Sequence, residues 1–224
     1  FLIEMCPATL SFNSGVPFQP FSRNPQIKFT QKVSNFYFSL AAASQIDFAS
    51  YGPYGVSTSY LRNSFVPILN FTLKYANDIM LLGFSSTYMS LTPRLFTSDD
   101  NSLDNPQKYS TSSSVSGLSA MGFVKFTFGE FIAKFEGIYG TNSTDLLMLG
   151  GYAVKSINTT TGAEEYTSSS NMSLWTDLSY GKVLELGIFA GYTKNLGTEE
   201  NNLGIYYSRG SKIDAVYRIA PRVK

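Results

Sequence analysis

The stretch GFVKFTFGEFIAKFEGIY, residues 122–139, predicts a β-hairpin with one apolar face. Gly129 and Glu130 form its two-residue turn, with glycine in the first position as a type II′ turn prefers. Successive residues of a strand point to opposite faces of the sheet. One face therefore receives three apolar cross-strand pairs: Phe128 with Phe131, Phe126 with Ala133, and Val124 with Phe135.

The opposite face of this hairpin is predicted to be charged. Its cross-strand pairs are Thr127 with Ile132, Lys125 with Lys134, and Phe123 with Glu136. Two lysines directly opposite each other repel unless water or a neighbouring acid such as Glu136 relieves them. A strand pair that is aromatic on one side and charged but wet on the other is typical of the wall of a water-filled barrel in lipid.

The same alternation recurs in three further segments, with compact turns predicted at residues 32–35, 77–78 and 180–182. Each predicted strand is about ten residues long, which is the length that a tilted strand needs to cross a bilayer. The expected cross-strand pairs on the apolar faces are Phe29 with Phe38, Ile27 with Leu40, Tyr75 with Met80, Leu73 with Leu82, Phe71 with Phe84, Leu178 with Leu184, Thr176 with Leu186, and Leu174 with Ile188. Two further strands are predicted at the ends, over residues 8–13 and 213–220.

Longer polar segments separate these hairpins, over residues 46–64, 91–111, 141–170 and 195–211. Short turns on one side and long loops on the other are the asymmetry of outer-membrane barrels. The segment 141–170 contains an apolar stretch, LLMLGGYAV at residues 146–154. We expect it to fold inward as a loop that narrows the barrel mouth; the alternative is a further strand pair with a turn at residues 159–162.

The composition is consistent with a lipid-facing β surface. Aromatic residues make up 15% of the chain and charged residues 15%, against roughly 25% charged in ordinary soluble domains. No apolar segment approaches the about 18 residues of a membrane-spanning helix. A formal net charge of +1 argues against a nucleic-acid groove built on bulk positive potential.

The sequence lacks the residues of most catalytic and metal sites. It has no histidine, and Cys6 is its single cysteine, which removes Ser-His-Asp and Cys-His catalysis and the usual zinc ligand sets. No phosphate-binding or dinucleotide-binding fingerprint is present, so we expect neither a cofactor nor an enzymatic activity. Catalysis by carboxylates alone would need Glu136 to converge with Glu185 or Asp177 across a lumen, and nothing in the spacing favours this.

Three segments resemble porin-like outer-membrane proteins of Bacteroidetes, which are relatives of the DcaP-like trimeric porins. They are SFNSGVPFQPFSRNPQIKFTQ at 11–31, GGYAVKSINTTTG at 150–162, and AGYTKNLGTEENNLGIYYSRG at 190–210. The resemblance implies a barrel of roughly sixteen strands in the bacterial outer membrane, in contact with lipopolysaccharide and assembled as a homotrimer. About ten strands are visible here, so residues 1–224 are expected to be a single-domain internal portion of a longer barrel.

The predicted fold is thus an all-β, antiparallel transmembrane β-barrel, and the predicted function is a porin for small hydrophilic solutes and ions. If the aromatic faces meet lipid, the pore is lined by charged and polar residues of the other face: Gln26, Lys28, Lys74, Lys125, Lys134, Glu136, Asp177, Glu185, Asp214 and Arg218. The alternative is a soluble or surface-attached β-sandwich that binds a partner through its loops, since a solvated sheet face predicts the same alternation. A core containing Phe126, Phe128 and Phe135 would favour that alternative.

Overall fold

A computed structural model of the chain describes residues 5–8, 15–98 and 107–224, and it has an all-β antiparallel architecture. Its strands are β1 (Gln26–Val33), β2 (Phe36–Ala43), β3 (Ser50–Gly52), β4 (Gly55–Ser57), β5 (Ile68–Ala76), β6 (Met80–Leu91), β7 (Phe96–Ser98), β8 (Lys108–Ser110), β9 (Val115–Phe128), β10 (Phe131–Thr141), β11 (Gly150–Ile157), β12 (Glu164–Tyr180), β13 (Leu186–Thr198), β14 (Tyr206–Arg209) and β15 (Ala215–Val223). Helix α1 (Ser59–Ser64) and a 3-10 helix (Thr144–Leu146) are short.

One sheet of 11 strands dominates the fold, and nine of its strands follow one another in chain order. The path across it runs β1, β2, β5, β6, β9, β10, β12, β13 and β15, while β11 and β14 extend it beside the first half of β12. In the part of the chain that the structure describes, β1, β14 and β15 each pair with one neighbour, and β1 and β15 form the two edges of this path. The predicted all-β antiparallel class is therefore confirmed, and these strands do not close on each other.

The register of the 122–139 hairpin is as predicted. Phe128 lies opposite Phe131, Lys125 opposite Lys134, and the intervening pairs follow. Gly129 has a φ of +59°, and Glu130 keeps a negative φ, as a type II′ turn requires. A two-residue turn leaves one register available, so every cross-strand pair of this hairpin follows from the position of one glycine.

The registers predicted for the other three hairpins were wrong by an even number of residues. Phe29 lies opposite Leu40 because the first turn consists of Ser34 and Asn35 alone, with Ser34 at a φ of +55°. Leu178 lies opposite Ile188, since residues 181–185 form a longer connection. An even shift leaves each side chain on its original face, so the predicted faces stand.

The turn at Asn77 is wider than predicted, and Tyr75 lies opposite Leu82. The Asn77 side-chain carbonyl accepts hydrogen bonds from the backbone N–H groups of Ile79 (3.0 Å) and Met80 (2.7 Å). Asparagine side chains commonly replace a backbone partner in this way and set their own local turn. The side chain of Asn77, rather than a two-residue turn, therefore fixes this register.

The compact connections lie at one end of the sheet and the longer ones at the other, as predicted. The longer segments are nevertheless structured: residues 46–64 contain β3, β4 and α1, residues 91–111 contain β7 and β8, and residues 195–211 contain β14. The predicted strand over residues 213–220 is β15, displaced by two or three residues. Most of the predicted strand over residues 8–13 lies outside the described residues.

The prediction of a loop over residues 141–170 was wrong for most of its length. β11 and the first part of β12 form a hairpin through a turn at residues 158–163, which is the alternative arrangement. This hairpin does not reverse the sheet, because β12 is long enough to continue down to the compact end. Residues 142–149 do fold back onto the sheet, where Leu146 and Met148 pack against Ile138.

The main sheet has two different faces. The aromatic face, which includes Phe29, Phe71, Phe84, Phe135 and Leu174, is exposed on every strand of the path. Phe128 and Phe135 are 57% and 43% exposed and Phe126 is half-buried, which is not the buried core of a β-sandwich. The polar face, which includes Lys28, Thr72, Lys134, Glu136 and Asp177, is partly covered by the chain itself.

None of the helices in residues 5–8, 15–98 and 107–224 is long and apolar enough to cross a membrane.

Candidate functional site

The polar face carries most of the predicted site residues, and sheet pairing places them in rows across the strands. One continuous row contains Lys32, Tyr37, Lys74, Gly83, Phe123, Glu136, Trp175, Gly191 and Arg218. The next row toward the compact turns contains Ala76, Leu81, Lys125, Lys134, Asp177, Phe189 and Ala220. In these two rows the charged side chains on β1 and β5 are lysines, and the carboxylates lie on β10 and β12.

A groove opens on the polar face over β1, β2, β5 and β6 and encloses about 210 Å³. The predicted residues Gln26, Lys28 and Lys74 line this polar groove. The charged residues of these four strands are Lys28, Lys32 and Lys74, with no carboxylate among them. These four strands are therefore the basic part of the polar face, and the only carboxyl group among the described residues that line the groove is that of Asp145, from another segment.

Short polar side chains on the wall of the polar groove are held in place by one another. The Asn70 amide donates hydrogen bonds to Ser85 Oγ (3.1 Å) and Thr87 Oγ1 (2.9 Å). The hydroxyls of Thr72 and Ser85 lie 3.0 Å apart. A wall of hydrogen-bonded hydroxyl and amide groups presents fixed donors and acceptors to a solute.

Tyr37 lies between two of the lysines in the row across β1, β2 and β5. Lys32 Nζ is 5.2 Å and Lys74 Nζ is 4.7 Å from the centroid of its ring. Both distances are within the range of cation–π attraction. The ring thus helps to keep two ammonium groups close to each other at the compact end of the polar groove.

Asp145 lies at the far rim of the polar groove, in the connection between β10 and β11. Its side chain is buried, and burial raises its pKa to about 7, although backbone N–H groups of Asp145 and Leu146 partly oppose that shift. Asp145 is not among the site residues predicted from the sequence. The sequence signal for it is its position directly before the apolar stretch 146–154, which was predicted to fold inward.

The remainder of the polar face is covered by the N-terminal cover, which we define as residues 5–8 and 15–21. Phe18 is fully buried and packs against Phe189, with their ring centroids 5.8 Å apart. A Cβ atom on Gly191 would lie 2.7 Å from the Phe18 ring, so the glycine makes room for it. Met5 and Trp175 belong to the same buried cluster.

Polar contacts fix the N-terminal cover to the sheet. Lys134 Nζ donates a hydrogen bond to the Cys6 carbonyl oxygen at 2.6 Å. The backbone N–H of Ala8 donates to Asp177 Oδ2 at 2.5 Å. Ser173 Oγ donates to the Phe18 carbonyl oxygen at 2.7 Å. Side chains predicted to line open water are thus engaged by the chain's own backbone.

A buried ion pair lies beside these contacts. Arg222 Nη1 is 2.6 Å from Asp177 Oδ1, and its Nε is 3.5 Å from Glu185 Oε1. Arg222 is not among the site residues predicted from the sequence. Arg218 and Arg222 are four residues apart in β15, so strand alternation places both of them on the polar face.

The acid beside the Lys125 and Lys134 pair is not the one that was expected. Lys134 lies opposite Lys125 on one side and Asp177 on the other. Glu136 instead accepts a hydrogen bond from Trp175 Nε1 at 3.0 Å and is buried. The relief attributed to Glu136 therefore comes from Asp177 and the Cys6 carbonyl oxygen.

The remaining predicted residues are more dispersed. Arg218 lies over the Phe18 ring at 5.7 Å, and Lys125 is half-buried. Asp214 is exposed before the start of β15, where its carbonyl oxygen accepts from the Asn195 N–H. The predicted set thus divides into residues of the polar groove, residues beneath the N-terminal cover, and Asp214.

A second polar cluster joins the longer connections at the opposite end of the sheet. Arg94 donates two hydrogen bonds to the Glu164 carboxylate, at 3.2 and 3.3 Å. Tyr166 and Tyr207 also donate to this carboxylate, at 3.0 Å and 3.3 Å, and Arg94 reaches the Tyr54 hydroxyl at 3.2 Å. This cluster ties together segments that are far apart in the sequence.

The fold and this face define a class: an antiparallel β-sheet protein with one exposed apolar face and one polar face. Comparison of the chain with protein-family models, curated proteins and solved structures found no match.

Proposed function

We propose that this chain forms at least part of the wall of a transmembrane β-barrel in a bacterial outer membrane, and that the barrel is a porin. The observation that carries the proposal is the aromatic face, which leaves large apolar side chains exposed along all nine strands of the sheet path. Exposed apolar patches on soluble monomers rarely exceed a few hundred Å². A strand that is apolar outward and polar inward is the pattern of a membrane barrel.

A membrane barrel requires that the two edge strands of this sheet path, β1 and β15, be hydrogen-bonded to other strands. In hydrocarbon, unpaired backbone N–H and C=O groups cost several kcal/mol each. β1 and β15 must therefore be paired in the membrane, with each other or with further strands. The proposed channel admits small hydrophilic solutes and ions along the polar face.

The polar groove supports a preference for anions. Lys28, Lys32 and Lys74 are the charged residues of β1, β2, β5 and β6, and the carboxylates of Asp177 and Glu185 form ion pairs with Arg222. Charged side chains lining a pore set its ion selectivity. The polar groove rather than the Lys125 and Lys134 pair is then the place where selectivity is set.

Reconstitution of the protein in a planar lipid bilayer tests this function. We expect discrete conductance steps, and the variant carrying Lys28→Glu and Lys74→Glu should shift the reversal potential toward cation selectivity. Lys182→Glu, in the exposed connection after β12, is the matched control and should shift it less. Absence of any conductance would refute the proposed porin function. Conductance with the same ion selectivity in the double variant would refute the role of the polar groove.

A further inference from the structure

Two glycines lie directly opposite each other in the middle of the aromatic face. Gly122 of β9 pairs with Gly137 of β10, and the same row continues to Phe84 on one side and Leu174 on the other. Large side chains therefore flank a position at which both adjacent strands carry glycine and so have no side chain. Glycine inside a strand weakens it and often marks a place where another group approaches closely.

The backbone does not require glycine at either position. Neither residue has a positive φ. A Cβ atom on Gly122 would meet nothing within 4 Å. One on Gly137 would lie 2.7 Å from Leu174 Cδ2, the end of a flexible side chain, and 3.9 Å from the Ser173 carbonyl oxygen, which is an ordinary contact. The described part of the chain therefore leaves the space above this glycine pair largely unfilled.

The glycine pair opens a shallow trough of about 700 Å³ on the aromatic face. Its walls are Leu82, Val124, Phe135, Leu174 and Tyr192. Glu136 and Trp175 contribute from beneath, but their side chains are bonded to each other on the polar face. Among the described residues that line it, none presents a charged group on the aromatic face.

We propose that this trough holds one acyl chain of a membrane lipid. The inference rests on the proposed function, because it requires the aromatic face to lie in lipid. The lining is apolar, so the occupant is a hydrocarbon rather than a headgroup or a polar peptide. The trough is one side chain deep and continuous with the apolar surface around it, which fits a thin flexible chain better than the broad face of a second copy.

Trp175 provides the measurement, since it is the single tryptophan of the chain and lies under the trough. The full chain is inserted into phosphatidylcholine vesicles with or without bromine on the acyl chains, which quenches indole fluorescence at short range. Gly122→Leu fills the trough and should lose much of the quenching. Ala120→Leu adds the same side chain to the same strand and face outside the trough, and should be quenched like the original protein. Gly122→Ala should give an intermediate loss and guards against a folding defect.

Equal quenching of the original protein and Gly122→Leu would overturn the proposal. So would weak quenching of the original protein together with a change in oligomeric mass in Gly122→Leu, which is the outcome expected if a second copy fills the trough. Vesicle flotation and conductance are measured on the same samples. A chain that does not insert fails the proposed function as well, whereas one that inserts and conducts but shows equal quenching loses the lipid site alone.

Discussion

Lys134 Nζ lies 2.6 Å from the carbonyl oxygen of Cys6, a residue 128 positions earlier in the chain. The Cys6 carbonyl oxygen thus accepts a hydrogen bond from the Lys134 ammonium group, and Lys134 lies opposite Lys125 on the neighbouring strand. A hydrogen bond with a charged donor is among the stronger ones in proteins. The charged half of the polar face therefore serves first as the surface on which the N-terminal cover is fixed.

Replacing Lys134 with methionine should loosen the N-terminal cover. The change removes the hydrogen bond to Cys6 and leaves that carbonyl group unpaired, with an expected loss of about 1–2 kcal/mol of stability. Hydrogen exchange of residues 15–21 should become faster. Lys125→Met is the matched control: it removes the like charge but keeps the contact, so exchange should be unchanged or slower. Equal acceleration in both variants would contradict the assignment.

Breaking the ion pair of Asp177 and Arg222 should destabilise the sheet strongly. Both side chains are at least 96% buried, and removing one partner of such a pair costs about 3–5 kcal/mol because the other charge stays buried. We expect this loss for Asp177→Leu in urea unfolding of the detergent-solubilised protein. The double variant with Arg222→Leu should recover part of it, since the buried guanidinium group that lost its partner is removed as well. A double variant less stable than both single variants would contradict this account.

The cluster of Arg94 and Glu164 should hold the longer connections together. Glu164→Gln removes the carboxylate that accepts two hydrogen bonds from Arg94 but keeps the size of the side chain, and should cost about 1–3 kcal/mol. Limited proteolysis should then become faster within residues 44–67 and 92–98. Lys155→Gln breaks the exposed ion pair with Glu200 and serves as the control, with little expected effect. Similar proteolysis of both variants would contradict the role of Arg94.

The sequence predicts the faces of this sheet better than its registers. Gly129 admits a single two-residue turn, so the pairs of its hairpin could be assigned residue by residue. The turn at Asn77 depends on which backbone groups its side chain binds. The alternation of apolar residues does not predict which backbone groups these are. The predicted faces are still correct because each register is shifted by an even number of residues.

Contacts between distant segments could not be read from local patterns. Alternation places Asp177 and Lys134 on the polar face, but it does not specify that Ala8 and Cys6 bind them. The division of the predicted site into an open groove and a covered region depends on these contacts. For the same reason Glu136 was assigned to Lys134, although its partner is Trp175 on the next strand.

Asp145 should make stability fall as the pH rises. Burial raises its pKa from 3.8 to about 7, so the folded protein binds a proton more tightly than the unfolded chain does. Between these two values the folded state carries the additional proton, and stability decreases with increasing pH; the full stabilisation is present below about pH 4 and is lost as the pH passes 7. Urea unfolding at about pH 5 and about pH 8 should show this decrease. Asp145→Asn should make this decrease smaller, because the amide stays neutral, and an unchanged pH dependence in this variant would show that Asp145 does not contribute to it.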